Sequence, residues 1–371
     1  MINVLHIGLD SEYGGIESYL YNLLRNIDRE QVSFTFIGYR GHSAYEREIE
    51  RYGSAVIPLS SRKNPIIYWL DIAKAIRLHS IDMVHIHKNS MADFLPVLCA
   101  KVLGVKRIVV HAHNGEHPIG FIKGILHRFG RWLSRAVGVE KLACSEVAGE
   151  WVFGTASVFR MARNGVDVAR FAYDRTKRDA FRRRFGIADD CLLLGCVGRL
   201  AGQKNQTFAI RVLESALREK ANVILAIVGE GPDKATLREL VADLGVADHV
   251  IFTGRLSEVD EAMCAFDFLL MPSVYEGLPI VAIEAQAAGL SVIASENVTE
   301  EVAMSPEFHR LGIGLSDAED WTALIMKDGF ADRRAPSEAV RGCDWARIGR
   351  EMTEYYVRGK IEDRSSDRRG L

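Results

Sequence analysis

Two acidic residues eight positions apart, Glu276 and Glu284, stand on either side of a strand-to-helix transition. The run Met271-Pro272-Ser273-Val274-Tyr275-Glu276-Gly277-Leu278-Pro279 leaves an apolar strand and enters a helix at about Pro279, a residue suited to a first helical turn. A helix start exposes free N–H groups and partial positive charge, which suits an anion. The carboxyl end of a parallel strand is also where such sheets bind ligands. Glu276 in the loop could hold sugar hydroxyls, and Glu284, on an otherwise apolar helix, ribose hydroxyls. A second loop, Gly198-Arg199-Leu200-Ala201-Gly202-Gln203-Lys204-Asn205, follows the apolar run 192–197. A guanidinium and an ammonium at that sheet edge suit a diphosphate.

Weaker signals sit at other strand ends. Gly14-Gly15 follows the first strand and opens a helix, where any tight turn could use the pair. His111-Ala112-His113-Asn114 ends another strand, and His85 and His87 alternate in the same way. Gly229-Glu230-Gly231 and Gly254-Arg255 follow two more strands. The histidines could suggest a metal, but no Asp-x-Asp motif accompanies them, and no metal or cofactor is expected. The GxGxxG nicotinamide fingerprint is absent.

The elements that must position these residues alternate between strand and helix. Strand-like runs fall at 4–8, 32–38, 55–59, 83–87, 107–113 and 141–145, and again at 192–197, 223–228, 249–252, 268–271, 291–294 and 312–315. Helical periods fall at 16–26, 45–52, 67–78, 92–103 and 121–137, then at 206–219, 234–244, 259–265 and 280–288. Two such series predict two doubly wound α/β domains. The spacing puts the boundary at 165/166, beside the turn at Asn164-Gly165. The polar, basic stretch 174–190 reads as a linking helix at the second domain's edge. A closing helix covers about 345–357, before a charged tail.

The chain has 371 residues with a formal net charge of −2, which argues against a nucleic-acid binder. Residues 1–165 carry 20 Lys and Arg against 15 Asp and Glu, whereas the remainder carries 27 against 34. The six cysteines show no CxxC spacing and read as buried thiols of a reducing compartment. No apolar run reaches membrane-spanning length. A soluble, cytoplasmic protein is expected, with one qualification. Within 119–137, Lys123, His127, Arg131 and Arg135 recur every four residues beside Ile122, Ile125, Leu126, Phe129, Trp132 and Leu133. That pattern fits a helix lying on an anionic membrane through a basic stripe, or one whose apolar face packs on the first domain's sheet with its cations solvated.

The run from Glu276 to Glu284 resembles the E-x7-E signature of glycosyltransferase family 4, retaining enzymes with the two-domain GT-B fold. The loop with Arg199 and Lys204 resembles the family's donor-diphosphate loop, and Gly14-Gly15 its phosphate-approaching glycine pair. The resemblance covers nearly the whole chain, including the closing helix, which in the family packs back on the first domain. It implies two Rossmann-like domains facing a central cleft, an N-terminal acceptor-side domain (1–165 plus 345–360) and a C-terminal nucleotide-sugar domain (166–344). It further implies a nucleotide-diphosphate donor, UDP-linked by family prevalence, and a glycan or lipid-linked acceptor. Arg199, Lys204, Glu276, Gly277, Leu278, Pro279 and Glu284 become donor contacts, joined by Gly14, Gly15, Glu230, Gly254 and Arg255. His113, or His111 if the register shifts by two, matches the histidine facing the anomeric centre. After residue 294 the family's glycine-rich turn is replaced by Ser295-Glu296-Asn297-Val298-Thr299-Glu300-Glu301, a variant resembling the exopolysaccharide and capsule branch. An epimerase or a non-catalytic sugar-binding protein could share the fold; the intact Arg199/Lys204 and Glu276/Glu284 pairs count against the latter.

Overall fold

Runs of Val, Ile and Leu that are apolar on both sides pair as parallel strands covered by helices. The computed structural model describes residues 1–11, 14–39, 43–115, 119–219, 222–314, 316–330 and 333–359. The chain forms two compact units, Met1–Gly165 with Trp345–Leu371, and Val166–Asp344. The first contains β1 (Ile2–Ile7), α1 (Gly15–Asn26), β2 (Val32–Gly38), α2 (Glu46–Arg51), β3 (Ala55–Pro58), α3 (Pro65–Leu78), β4 (Met83–Lys88), α4 (Leu95–Val102), β5 (Arg107–Ala112), α5 (Phe121–Val137), β6 (Glu140–Ala143), α6 (Glu146–Phe153) and β7 (Arg160–Met161). Its sheet is parallel throughout, in the order β3-β2-β1-β4-β5-β6-β7. The order reverses between β1 and β4.

The second unit contains α7 (Val168–Phe171), α8 (Arg175–Phe185), β8 (Leu192–Val197), α9 (Gln206–Arg218), β9 (Val223–Val228), α10 (Lys234–Asp243), β10 (Val250–Gly254), α11 (Val259–Ala265), β11 (Phe268–Met271), α12 (Ile280–Ala287), β12 (Ser291–Ser295), β13 (Phe308–Leu311), α13 (Ala318–Asp328) and α14 (Glu338–Arg341). Its parallel order is β10-β9-β8-β11-β12-β13, reversing between β8 and β11. The last helix, α15 (Trp345–Arg358), belongs to the first unit. Its Trp345, Ile348, Met352, Tyr355 and Tyr356 are buried in the core with Tyr19, Leu23, Phe34 and Phe36. Each such burial is worth roughly 1.5–3 kcal/mol. Arg107 then caps the helix, donating to the carbonyls of Tyr356 (2.6 Å) and Tyr355 (3.2 Å) while paired with Glu140.

Four expectations need correction. The strand expected at 312–315 lies earlier, at Phe308–Leu311. Gly314 N–H donates to Asp317 Oδ2 at 2.7 Å, and a Cβ on Gly312 would meet that same oxygen at 2.2 Å, so this stretch is a turn closed on Asp317. Leu315 lies outside the described residues. Helix α6 was not anticipated, although Ser145 caps it by accepting from Ala148 N–H. The segment 174–190 is more than a link, because Arg182 of α8 is buried against Asp267 at 2.7 Å. Lastly, three of the four residues in the basic stripe of α5 are engaged by the protein itself, whereas Lys123 is exposed. His127 is buried and hydrogen-bonded to Met91 N–H and the Trp151 carbonyl, Arg131 donates to the carbonyls of Glu150 and Trp151, and Arg135 donates to that of Phe153. The Glu150 carbonyl already accepts from the capping Gly154 N–H, while those of Trp151 and Phe153, at the end of the helix, receive donors from these side chains.

Candidate active site

In the second unit the loops after β8 and β11 leave neighbouring strands on either side of the point where strand order reverses. Such a switch point opens a crevice at the carboxyl edge. The loops are tied together: Val274 N–H donates to the Gln203 carbonyl at 2.8 Å, and Gln203 Nε2 to the Tyr275 carbonyl at 3.0 Å. Within this frame Lys204 Nζ meets Glu276 Oε1 at 2.5 Å, the Glu276 side chain being only 9% exposed. Arg199 points outward, and among the described residues its side chain makes no hydrogen bond or ion pair. Gly277, the buried Leu278 and Pro279 lead into α12, whose N-cap is Pro279. One anchored cation, one free cation and a helix start thus share a single sheet edge.

The neighbouring loops are built for close approach. Gly229 has φ +139°, and a Cβ there would lie 1.9 Å from the Gly198 carbonyl oxygen. Only glycine lets the two loops touch. Gly254, at φ +70°, faces the Glu230 carboxylate, which pairs with Lys234 at 2.7 Å. Arg255 is exposed and, like Arg199, makes no side-chain partner among the described residues. Ser273 is a residue the sequence reading passed over; its hydroxyl is buried without a partner among the described residues. The unusual segment after β12 is held to β13 by Arg310, which pairs with Glu300 at 2.5 Å and donates to the Glu296 carbonyl.

Glu284 lies one to two turns into α12, and burial pushes its carboxyl up to about 7, opposed by the Arg170 charge and reinforced by Asp260. Folded protein therefore holds this proton between the ordinary 4.5 and about 7 while unfolded chain releases it. Stability falls as pH rises through that window. In Glu284→Gln the fall in melting temperature over this range should be shallower than in wild type; equal slopes measured by calorimetry would show that Glu284 does not titrate there.

At the carboxyl edge of the first unit, Gly14 is the N-cap of α1 and Gly15 its first residue. His111 ends in the interior of β5, bonded to the Ala162 carbonyl at 3.1 Å. His113, just past the strand, is the more exposed of the two. Its Nε2 shares a hydrogen bond with His87 Nδ1 at 2.8 Å, and His87 Nε2 shares one with His6 Nδ1 at 3.0 Å. With His85 these make a group of five imidazoles, four buried and His113 half-buried, and burial lowers the pKa of each, to about 3 for His6 and His111. The triads His6/His85/His87 and His87/His111/His113 bring their ring nitrogens within 4.8 Å, close enough to ligate a metal. His6 was missed because its partners lie about eighty residues away in sequence. Lys88 was also missed; it ends β4, buried, and pairs with Asp93 at 2.5 Å.

Two such units, each with its loops gathered at a strand-order reversal, make an α/β architecture of GT-B type. A model of Glycosyl transferases group 1 matches residues 177–327, and one of Glycosyltransferase Family 4 matches residues 13–170. EpsF of Bacillus subtilis (strain 168), named as a glycosyltransferase, is 33% identical over 309 residues, covering 81% of this chain and 80% of that protein. The GDP-mannose-dependent alpha-(1-6)-phosphatidylinositol monomannoside mannosyltransferase of Mycolicibacterium smegmatis is 29% identical over 90% of each chain. HepE of Anabaena, solved in complex with UDP, superposes with a TM-score of 0.79 at 18% identity, over 95% of this chain and 99% of that one. The chain belongs to glycosyltransferase family 4, and it is an enzyme of the glycosyltransferase class.

Proposed function

We propose that this enzyme transfers a sugar from a UDP-sugar to a hydroxyl of a glycan or lipid-linked acceptor in cell-surface polysaccharide biosynthesis. In this reading the anomeric configuration is retained and no metal ion takes part. The observation that carries it is the convergence of Arg199, the Lys204–Glu276 pair and the start of α12 on one switch point. Breaking the anomeric C–O bond builds negative charge on the departing diphosphate. Arg199, Lys204 and the α12 N–H groups supply fixed positive charge there. Glu276 positions Lys204 and the sugar, and Glu284 takes the ribose. His113 acts as a positioning residue, its tautomer coupled to His87.

The HepE complexes with UDP and with UDP-glucose favour uridine. The mycobacterial relative's name, GDP-mannose-dependent and acting on a phosphatidylinositol mannoside, favours a lipid acceptor and a second donor reading, GDP-mannose. The test is incubation of the full chain with UDP-glucose, UDP-galactose, UDP-N-acetylglucosamine or GDP-mannose, a chelator and lipid-linked saccharides. Transfer from a UDP-sugar with an axially linked product from an axial donor supports the proposal. Transfer only with GDP-mannose replaces the donor, an inverted product overturns retention, and a requirement for added metal overturns metal independence.

A further inference from the structure

Strand register brings three histidines of the first sheet to one point. Side chains two apart on a strand share a face, and His111 and His113 hold that spacing at the end of β5. The β4–β5 register sets His87 directly beside His111. The ring nitrogens of the three come within 4.8 Å of one another. The backbone at His113 is pinned on both sides. Its N–H donates to the Lys88 carbonyl at 3.0 Å, and its carbonyl accepts from Cys144 Sγ at 3.4 Å.

The hydrogen bonds these rings already make decide which nitrogens are free. His111 Nε2 donates to the Ala162 carbonyl at 3.1 Å, which leaves its Nδ1 as a lone pair. That Nδ1 is buried and has no partner among the described residues. His87 shares one hydrogen bond with His6 Nδ1 through Nε2 (3.0 Å) and another with His113 Nε2 through Nδ1 (2.8 Å). When His87 donates through Nε2, its Nδ1 is a lone pair that accepts from His113. His113 Nδ1 is also buried and unpartnered among the described residues. The His113 proton can therefore move to Nδ1, which turns the Nε2 lone pair toward the other two. An unmet buried polar atom costs about 1–3 kcal/mol, and an ion between the rings would answer that of His111. A carbonyl behind His111 and an imidazole behind His87 are the kind of outer partners that orient metal-binding histidines.

We propose that His87 Nδ1, His111 Nδ1 and His113 Nε2 bind one Zn2+ ion, with a fourth position open on the half-buried His113 side. Imidazole ligands without a carboxylate suit such an ion, whereas Mg2+ and Ca2+ take oxygen. The neighbouring triad His6/His85/His87 is buried at every member, and His85 Nδ1 is already bonded to the Tyr356 hydroxyl at 2.8 Å, so it offers an ion no exposed side. The zinc takes no part in the transfer proposed above; it withdraws the His113 imidazole from it and so inhibits. That consequence rests on the proposed function, but the site does not.

The test is equilibrium dialysis of the full, chelator-stripped chain against Zn2+, with Co2+ as a spectroscopic probe. Wild type should bind one equivalent of zinc, melt at a higher temperature with it, and give with Co2+ the visible absorption of a four-coordinate ion. His113→Gln lies past the strand and should fold as wild type does without metal, yet bind zinc at least about tenfold more weakly. His111→Gln should weaken it as much, and His85→Gln should leave it unchanged. No bound zinc in wild type would overturn the proposal. So would undiminished affinity in His113→Gln, the mark of zinc on surface histidines, or a loss confined to His85→Gln, the mark of the deeper triad. Transfer assays separate the two readings: full zinc occupancy with undiminished transfer would overturn the role of His113 in the reaction and leave the site standing.

Discussion

Asp267→Ala should lower the stability of the second unit by about 3–5 kcal/mol, the loss expected when one member of a buried ion pair is removed. Arg182, 2% exposed, donates to the Asp267 carboxylate at 2.7 Å and to the carbonyls of Ala188 and Cys191 at 2.8 and 3.0 Å. The same carboxylate accepts from Leu193 N–H at 2.8 Å, so it joins α8, β8 and the start of β11. Without it a guanidinium remains buried with no counter-charge, and a strand N–H loses its acceptor. Asp267→Asn keeps the acceptor but not the charge, and should lose less. Urea unfolding followed by fluorescence and circular dichroism reads both variants. A loss below about 1 kcal/mol in Asp267→Ala, the level of an exposed pair, would show that this pair does not hold the unit together.

Lys204→Ala should reduce kcat/KM by at least about tenfold and toward a hundredfold. A charge-assisted hydrogen bond contributes about 1.5–3 kcal/mol, and each 1.4 kcal/mol is tenfold in rate. In the proposed donor complex the variant loses a phosphate contact. It also leaves the mostly buried Glu276 carboxylate unpaired beside the incoming diphosphate. Adding Glu276→Gln removes that repulsion, so the double variant should be less impaired than the product of the two single effects. Steady-state kinetics on all three variants form the cycle. Full multiplicativity would mean that the pair is not coupled in the donor complex, and a Lys204→Ala enzyme within twofold of wild type would remove it from the site.

The alternation of strand and helix was legible in the sequence because period-two and period-3.6 runs are local. So were the two loops, since Arg199 with Lys204 and Glu276 with Glu284 lie in short segments next to strand ends. What could not be read is which residues meet across distance. Lys204 and Glu276 are 72 positions apart, and only the β8–β11 pairing brings their loops together. Arg182 lies within one of the most polar helices of the chain, where a single inward arginine leaves no periodic trace. In α5 the period was plain but the inward face was not. Basic residues ordinarily face water, yet His127 is buried and Arg131 and Arg135 bond to carbonyls at the end of α6. The turn at 312–314 was misread because two glycines between apolar residues resemble a strand end until Asp317 is seen to close it.

A calorimetric titration of UDP, in the presence of a chelator, into wild type and into Arg199→Ala with Lys204→Ala tests most directly the claim that the β8–β11 switch point holds a nucleoside diphosphate. The account predicts that wild type binds UDP without metal, that the double variant binds it at least about tenfold more weakly, and that uridine, lacking phosphates, binds both equally weakly. Equal UDP affinity in the two proteins, or binding that appears only when a divalent metal is restored, would contradict it.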